Sequence, residues 1–296
     1  MRILLSPYLL LVITMLCWAG NFILGRAVHG DIPPVTLTFW RWAVAGAVLA
    51  PFAGAGLWRS RALIARHWRL LAVLAVMGVV LFHVCVYTAL QTTTAINAAL
   101  ILATVPVVIP GFAYLLDRDR VTARQAIGIA LSLVGVAVII VRGDPAVVAG
   151  LAFAPGDLWM LVSVPVWSIY TVLLRRLPQD LPPLAMILAI AAMGLIPLAP
   201  AYAWEIATVG GIAINAANLV SIGYVSLFAS VIAYICFNRA VSVVGATKGG
   251  LFLHLMPVFA TLMAIALLGE QLRLFHAAGI ALIVGGIYLT ITVRAD

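Results

Sequence analysis

His83 and Tyr87 stand four residues apart in one apolar run, a spacing that puts both on one face of a helix. Tyr234 and Asn238 repeat it late in the chain, and His254 lies inside a further apolar run. Trp18 with Asn21, and Trp167 with Tyr170, set further polar and aromatic groups one helical turn apart, while Arg41 follows Phe39-Trp40. Groups of these types can wall a polar pocket. Amide, phenol and imidazole exchange hydrogen bonds, a guanidinium receives a carboxylate as a two-pronged donor, and an imidazole can carry a proton. Each also has a plainer reading. A buried histidine can bond to a backbone carbonyl, and Arg41, about two turns inside a helix end, can snorkel to the interface or pair locally. Aromatics at membrane ends serve as anchors, yet Trp18 and Trp167 fall in mid-run, which favours cavity walls.

No catalytic constellation accompanies these residues. The nearest approach to a phosphate-binding loop, Gly245-Ala246-Thr247-Lys248-Gly249-Gly250, lacks both the spacing and the hydroxyl after lysine. Neither G-x-S-x-G nor H-E-x-x-H occurs. Cys17, Cys85 and Cys236 all lie in apolar runs, with no disulfide framework and no zinc spacing. The expectation is therefore no enzyme, no metal, no cofactor and no ATPase subunit. Asp157, Glu205 and Glu270 fall near the ends of apolar runs, so proton coupling through a mid-membrane acid finds no support.

The elements that must position these side chains follow from composition. Of 296 residues, 65% are hydrophobic and 9% charged, whereas a soluble domain carries about 25% charged residues. Lipid must be the solvent. The net charge of +8 comes from single Arg and Lys residues between apolar runs, which excludes a nucleic-acid binder and points to membrane topology. Ten segments are long enough to cross: about 3–25, 35–56, 69–91, 95–116, 123–142, 157–175, 182–204, 217–239, 246–268 and 273–294. Residues 70–116 hold no charge, and Gln91-Thr92-Thr93-Thr94 marks the turn that divides them into two helices. The ten-residue alternation of an outer-membrane barrel is missing. Met1-Arg2 and the apolar run after it lack a processing site before Cys17 and read as a retained first helix.

Loop charge orients the helices. Arg2, Arg59, Arg61, Arg66, Arg69, Arg118, Arg120, Arg124, Arg175, Arg176, Arg239, Lys248 and Arg294 belong to one side, and Arg26, Arg142 and Arg273 to the other. Both termini are thus expected in the cytoplasm.

The chain also matches itself. An offset of 151 gives 16 identities over residues 85–142, where composition alone would give roughly one match in ten. Cys85 pairs with Cys236, Pro106 with Pro257, Gly128 with Gly279 and Gly135 with Gly286; at an offset of 149, Trp18 meets Trp167. Two repeats are expected, 1–147 and 148–296, and an odd number of crossings per copy turns the second upside down. Inverted repeats are the layout of alternating-access carriers. Pro106 and Pro257, equivalent and deep within apolar runs, should kink their helices, either as static bends or as bending points. Asn97 and Lys248 are equivalent near helix N-termini, and Gly245-x-x-x-Gly249 allows close helix contact.

Several of these runs carry a family likeness. Leu253-His254-Leu255-Met256-Pro257-Val258-Phe259, Leu268-Gly269-Glu270 and Gly279-Ile280-Ala281-Leu282-Ile283-Val284-Gly285-Gly286 resemble the closing helices of an EamA repeat. Cys17-Trp18-Ala19-Gly20-Asn21-Phe22 and Phe39-Trp40-Arg41 resemble its beginning, while Leu116-Asp117-Arg118-Asp119 departs from the Leu-Gly-Glu pattern in the first copy. The chain thus resembles the drug/metabolite transporter superfamily over its whole length, and within it the YddG-type amino acid exporters. That resemblance implies an all-α integral membrane protein of ten helices in two inverted five-helix repeats, exporting small organic solutes. Aromatic and other neutral amino acids are the implied substrates, carried by a monomer in the bacterial inner membrane among its lipids. Drugs, nucleotide sugars or phosphorylated metabolites are alternatives, with a lipid-handling enzyme as a remote one. Trp18, Asn21, Arg41, His83, Tyr87, Trp167, Tyr170, Tyr234, Asn238 and His254 are the expected cavity residues.

Overall fold

The computed structural model describes residues 6–27, 30–144, 146–178, 180–268 and 271–292. Among the described residues every regular element is helical. The first half comprises α1 (Pro7–Ala27), α2 (Pro34–Arg59), α3 (Arg61–Arg66), α4 (Trp68–Ala75), α5 (Phe82–Thr92), α6 (Ala95–Leu102), α7 (Val105–Asp117) and α8 (Ala123–Ile140). The short α9 (Ala146–Ala149) leads to the second half: α10 (Pro155–Leu173), α11 (Pro183–Val209), α12 (Ala216–Ser226), α13 (Ala233–Val244), α14 (Ala246–Leu251), α15 (Met256–Leu268) and α16 (Leu274–Ile291). Eight of the expected segments are helices long and apolar enough to cross a membrane. The other two are α1 and the interrupted run α14–α15. Arg2, Gly269, Glu270 and Arg294, used above for topology and family likeness, lie outside the described residues, as do the side chains of Phe22, Arg26 and Leu268.

Local chemistry sets the helix starts. Thr94 accepts the Asn97 N–H at 3.1 Å to open α6, at the turn expected after Gln91. Thr122 and Gln125 form a reciprocal capping box before α8, and Asn215 caps α12 through the Asn218 N–H. Such caps satisfy amide groups that the first helical turn leaves without partners. Glu205, from the far end of α11, accepts from the N–H groups of Val35 and Thr36 and caps α2 across the bundle.

The halves interlock. α1 packs on α13 and α10 on α5, while α2 faces α11 and α8 faces α16, so each contact has a counterpart in the other half. Gly128 meets Gly286 and Gly135 meets Gly279, which makes α8 and α16 antiparallel at close backbone approach. The outer surface is apolar, with Phe52, Ile196 and Trp204 each at least 70% exposed, as a lipid-facing surface requires.

Two expectations need correction, and one feature goes beyond them. Pro106 and Pro257 do not kink continuous helices. The backbone breaks at Ala103–Thr104 and at the 3₁₀ turn Phe252–Leu255, and each proline stands second in the helix that restarts. The physical reason is that a proline lacks an N–H and is tolerated in a first turn, where no donor is needed. Of the Gly245-x-x-x-Gly249 pair, Gly249 packs closely on Val241 of α13 as expected, whereas Gly245 joins α13 to α14 with φ +89, a conformation suited to glycine. Finally, the third and eighth expected helices contain equivalent π-helical turns, Val76–Leu81 and Leu227–Ile232, which the sequence pattern does not reveal.

Candidate functional site

The π-helical turns prepare the site by leaving backbone carbonyls available at the bundle centre. Ala229 O accepts from the Trp18 indole N–H at 3.0 Å and from Arg41 Nη2 at 2.9 Å. Its equivalent 151 residues earlier, Gly78 O, accepts from the Tyr234 hydroxyl at 2.6 Å. Sequence reasoning missed Ala229, because a carbonyl released by a wider helical turn has no side-chain signature, and Ser230, whose hydroxyl meets Arg41 only where two helices cross.

Arg41 does not snorkel. It is 1% exposed, since α2 crosses α5, α12 and the second π-helical turn and turns the guanidinium inward. Its Nε donates to Ser230 Oγ at 2.5 Å and its Nη1 to Asn21 Oδ1 and Tyr87 Oη, both at 2.9 Å. The Tyr87 hydroxyl in turn donates to Asn21 Oδ1 at 2.8 Å, and Ser230 to Val225 O. All these acceptors are neutral. Among the described residues the ion pairs are Arg175–Asp119 and Arg176–Asp117, both distant in the fold from Arg41.

An aromatic cluster closes the centre. Trp18 and Trp167, equivalent in the repeat, meet edge to face with centroids 5.1 Å apart, and Tyr234 stands at 6.0 Å from each. Phe237 and Phe82 fill the remaining sides of Trp18 and Trp167, both with tilted rings. Trp167 is buried with its indole N–H lacking a protein partner.

Against this cluster lies a cavity of about 520 Å³, within the range of small-molecule sites. Trp18, Asn21, Arg41, His83, Trp167, Tyr234 and His254 all line it, as does Pro257. Tyr87, Tyr170, Asn238 and Pro106 do not. Tyr87 stands behind Arg41 as an acceptor, and the Tyr170 hydroxyl donates to Asn238 Oδ1 at 3.0 Å, a buried brace between α10 and α13. Pro106 opens α7 beside Val105, which does reach the wall.

Both histidines combine the two readings open to them. His83 Nδ1 bonds to Val79 O at 3.2 Å and still faces the cavity. His254 Nε2 donates to Ala103 O at 2.9 Å, so its Nδ1 in the neutral ring accepts from the Ser132 hydroxyl at 2.6 Å. Ala103 is the position equivalent to His254, and its carbonyl is one released by the helix break; the bond ties the two interrupted helices together.

The cavity runs from Arg41 and the aromatic cluster to Ile96 and Arg142, at the end of the bundle that holds the α5–α6 turn and the end of α8. At the opposite end, Asp119 pairs with Arg175 at 2.9 Å and Asp117 with Arg176 at 2.6 Å, joining the α7–α8 connection to the end of α10. The departure at Leu116-Asp117-Arg118-Asp119 thus supplies these inter-repeat ion pairs.

An uncharacterized transporter of Archaeoglobus fulgidus is 29% identical over 287 residues, covering 96% of this chain and 97% of its own. The inner membrane protein YtfF of Escherichia coli is 30% identical over 175 residues, 56% of this chain and 54% of its own. A solved crystal structure superimposes with a TM-score of 0.76 at 23% identity, covering 96% of both chains, which establishes the fold. The model of the EamA-like transporter family matches residues 5–141 and again 154–292. With both halves matched, the chain belongs to the EamA-like transporter family.

Proposed function

We propose that this protein is a secondary carrier that exports small, partly apolar organic solutes, aromatic and other neutral amino acids foremost, by alternating access. It works as a monomer with ten crossings, in two inverted five-helix repeats, 1–147 and 148–296, and has no catalytic role. The observation that carries this reading is the central cavity between the repeats, walled by Trp18, Trp167 and Tyr234 and open toward one end while ion pairs close the other. Interrupted helices facing such a cavity are a recurrent feature of carriers, and α6–α7 and α14–α15 supply both. Pro106 and Pro257, at the restarts, serve as the bending points.

The distribution of loop Arg and Lys favours cytoplasmic termini. The cavity then faces outward and the ion pairs seal the cytoplasmic end. The inner-membrane naming of the Escherichia coli relative supports the bacterial inner membrane as the location. Purified protein in liposomes, offered a labelled amino acid panel with and without a pH gradient, should give saturable uptake and counterflow of selected members. Folded protein that moves none of them would overturn the amino acid assignment.

A further inference from the structure

The cavity is charged in one sense only. Arg41 and Arg142 line it, and among the described residues no Asp or Glu does. The two buried carboxylates are committed elsewhere. Glu205 accepts from Val35 and Thr36 at the start of α2. Asp157 accepts from Thr93, from Asn97 at 2.8 Å and from the Ala154 N–H at 2.8 Å. Arg41 therefore has only neutral acceptors around it, in a site of low dielectric, where a buried cation without a counter-charge is costly. Its four hydrogen bonds use four of its five N–H groups, leaving one on Nη2. A second donor, the Trp167 indole N–H, is buried in the same wall with no protein partner. Both of these unused donors suit an anionic oxygen, while His83, whose Nδ1 donates to Val79 O, leaves the Nε2 of its neutral ring as an acceptor in the same wall.

We infer that the cavity recognises its substrate through a carboxylate, received by Arg41 and the Trp167 indole, and through an apolar body held by the aromatic walls. The inference rests on the carrier reading above and narrows its substrate class to organic carboxylates, for which an α-amino group is dispensable. A carboxylate supplies the missing counter-charge, and charge-assisted bonds in a dry site are the strong ones. An ammonium placed at the same point would be repelled by the guanidinium.

Three probes with one aromatic body separate the possibilities: 3-phenylpropionate, L-phenylalanine and 2-phenylethylamine. Their binding to the full chain in lipid nanodiscs is read by calorimetry. The acid should bind at least as tightly as the amino acid and more than about tenfold tighter than the amine, the scale of one charged hydrogen bond. Arg41→Gln should abolish the preference for acid over amine. Trp167→Phe, which keeps the ring and removes the N–H, should weaken the acid several-fold, about what one hydrogen bond contributes, without altering amine binding. Thermal melting of each variant identifies loss of fold, and Trp167→Phe keeps the test open if Arg41→Gln fails to fold. An amine that binds as tightly as the acid, an amino acid that binds more than about tenfold tighter than the acid, or no binding by any probe overturns the inference. Counterflow in liposomes distinguishes the two claims. Movement of solutes without a preference for the carboxylate leaves the carrier reading standing, whereas binding of the acid with no counterflow of any solute overturns the carrier and leaves the recognition.

Discussion

A buried guanidinium needs its hydrogen bonds arranged before a ligand arrives, and Arg41 has four of them from three separate elements: α1, α5, and the π-helical turn after α12 through both Ser230 and Ala229. Glu205 solves a different problem, holding the start of α2 and so the height of Arg41 in the bundle. Glu205→Gln exchanges a charged acceptor for a neutral one that carries its own donors. It should lower the melting temperature by the equivalent of about 1–2 kcal/mol, the scale of a lost cap, with substrate affinity unchanged in a binding titration. A larger change in affinity than in stability would place Glu205 in the site itself. At this scale the residue types were legible and their partners were not. Arg41 and Asn21 are 20 positions apart and meet only because two helices cross, which leaves snorkelling and burial equally open in the sequence.

Glycine spacing is the clearest instruction at the level of the helices. A Cβ on Gly135 would stand 2.7 Å from Gly279 O and 2.9 Å from the Ile283 N, so Gly135→Ala must separate α8 from α16. The expected loss is about 1–3 kcal/mol, as for other overpacked sites, seen as a lower melting temperature in detergent. Gly111→Ala, at a position with open space around it, is the neutral control; equal effects at both positions would contradict the packing argument. Pro106→Ala restores the N–H absent from the restart of α7 and lets the helix extend backwards through the break, at a proline that does not line the cavity. It should slow substrate counterflow while equilibrium binding stays the same, a comparison of rate against affinity that a purely structural proline would not produce. The proline positions and the glycine pairs were visible in the repeat. A break and a kink carry the same sequence signature, and only the backbone distinguishes them.

Between the two halves, access to the cavity is governed by how the ends are held. Arg175–Asp119 and Arg176–Asp117 are partly exposed pairs, each worth about 0–1 kcal/mol, yet an equilibrium between two cavity orientations moves tenfold for about 1.4 kcal/mol. Replacing both arginines by Gln should therefore shift the protein toward opening at that end. Hydrogen exchange in α14 (Ala246–Leu251), which packs on α7 beside the pairs, should rise, and higher salt should act in the same direction. Exchange that is indifferent to both changes would show the seal to be apolar packing instead.

The amino-acid sequence by itself determined the solvent, the helical class and the duplication, because these depend on composition and on periodicities that survive any arrangement of the helices. It also carried the family likeness and most of the cavity wall: Trp18, Asn21, Arg41, His83, Trp167, Tyr234 and His254 were all singled out by type and position. Tertiary structure alone decided that Tyr87 and Tyr170 stand behind the wall as supports, that the π-helical turns present Gly78 O and Ala229 O, and that His254 bonds to Ala103 across the repeats. The reason is physical. A hydrogen-bond partner 46 or more positions away is chosen by the crossing of helices, and the charge balance of a cavity is a sum over every chain segment that reaches it.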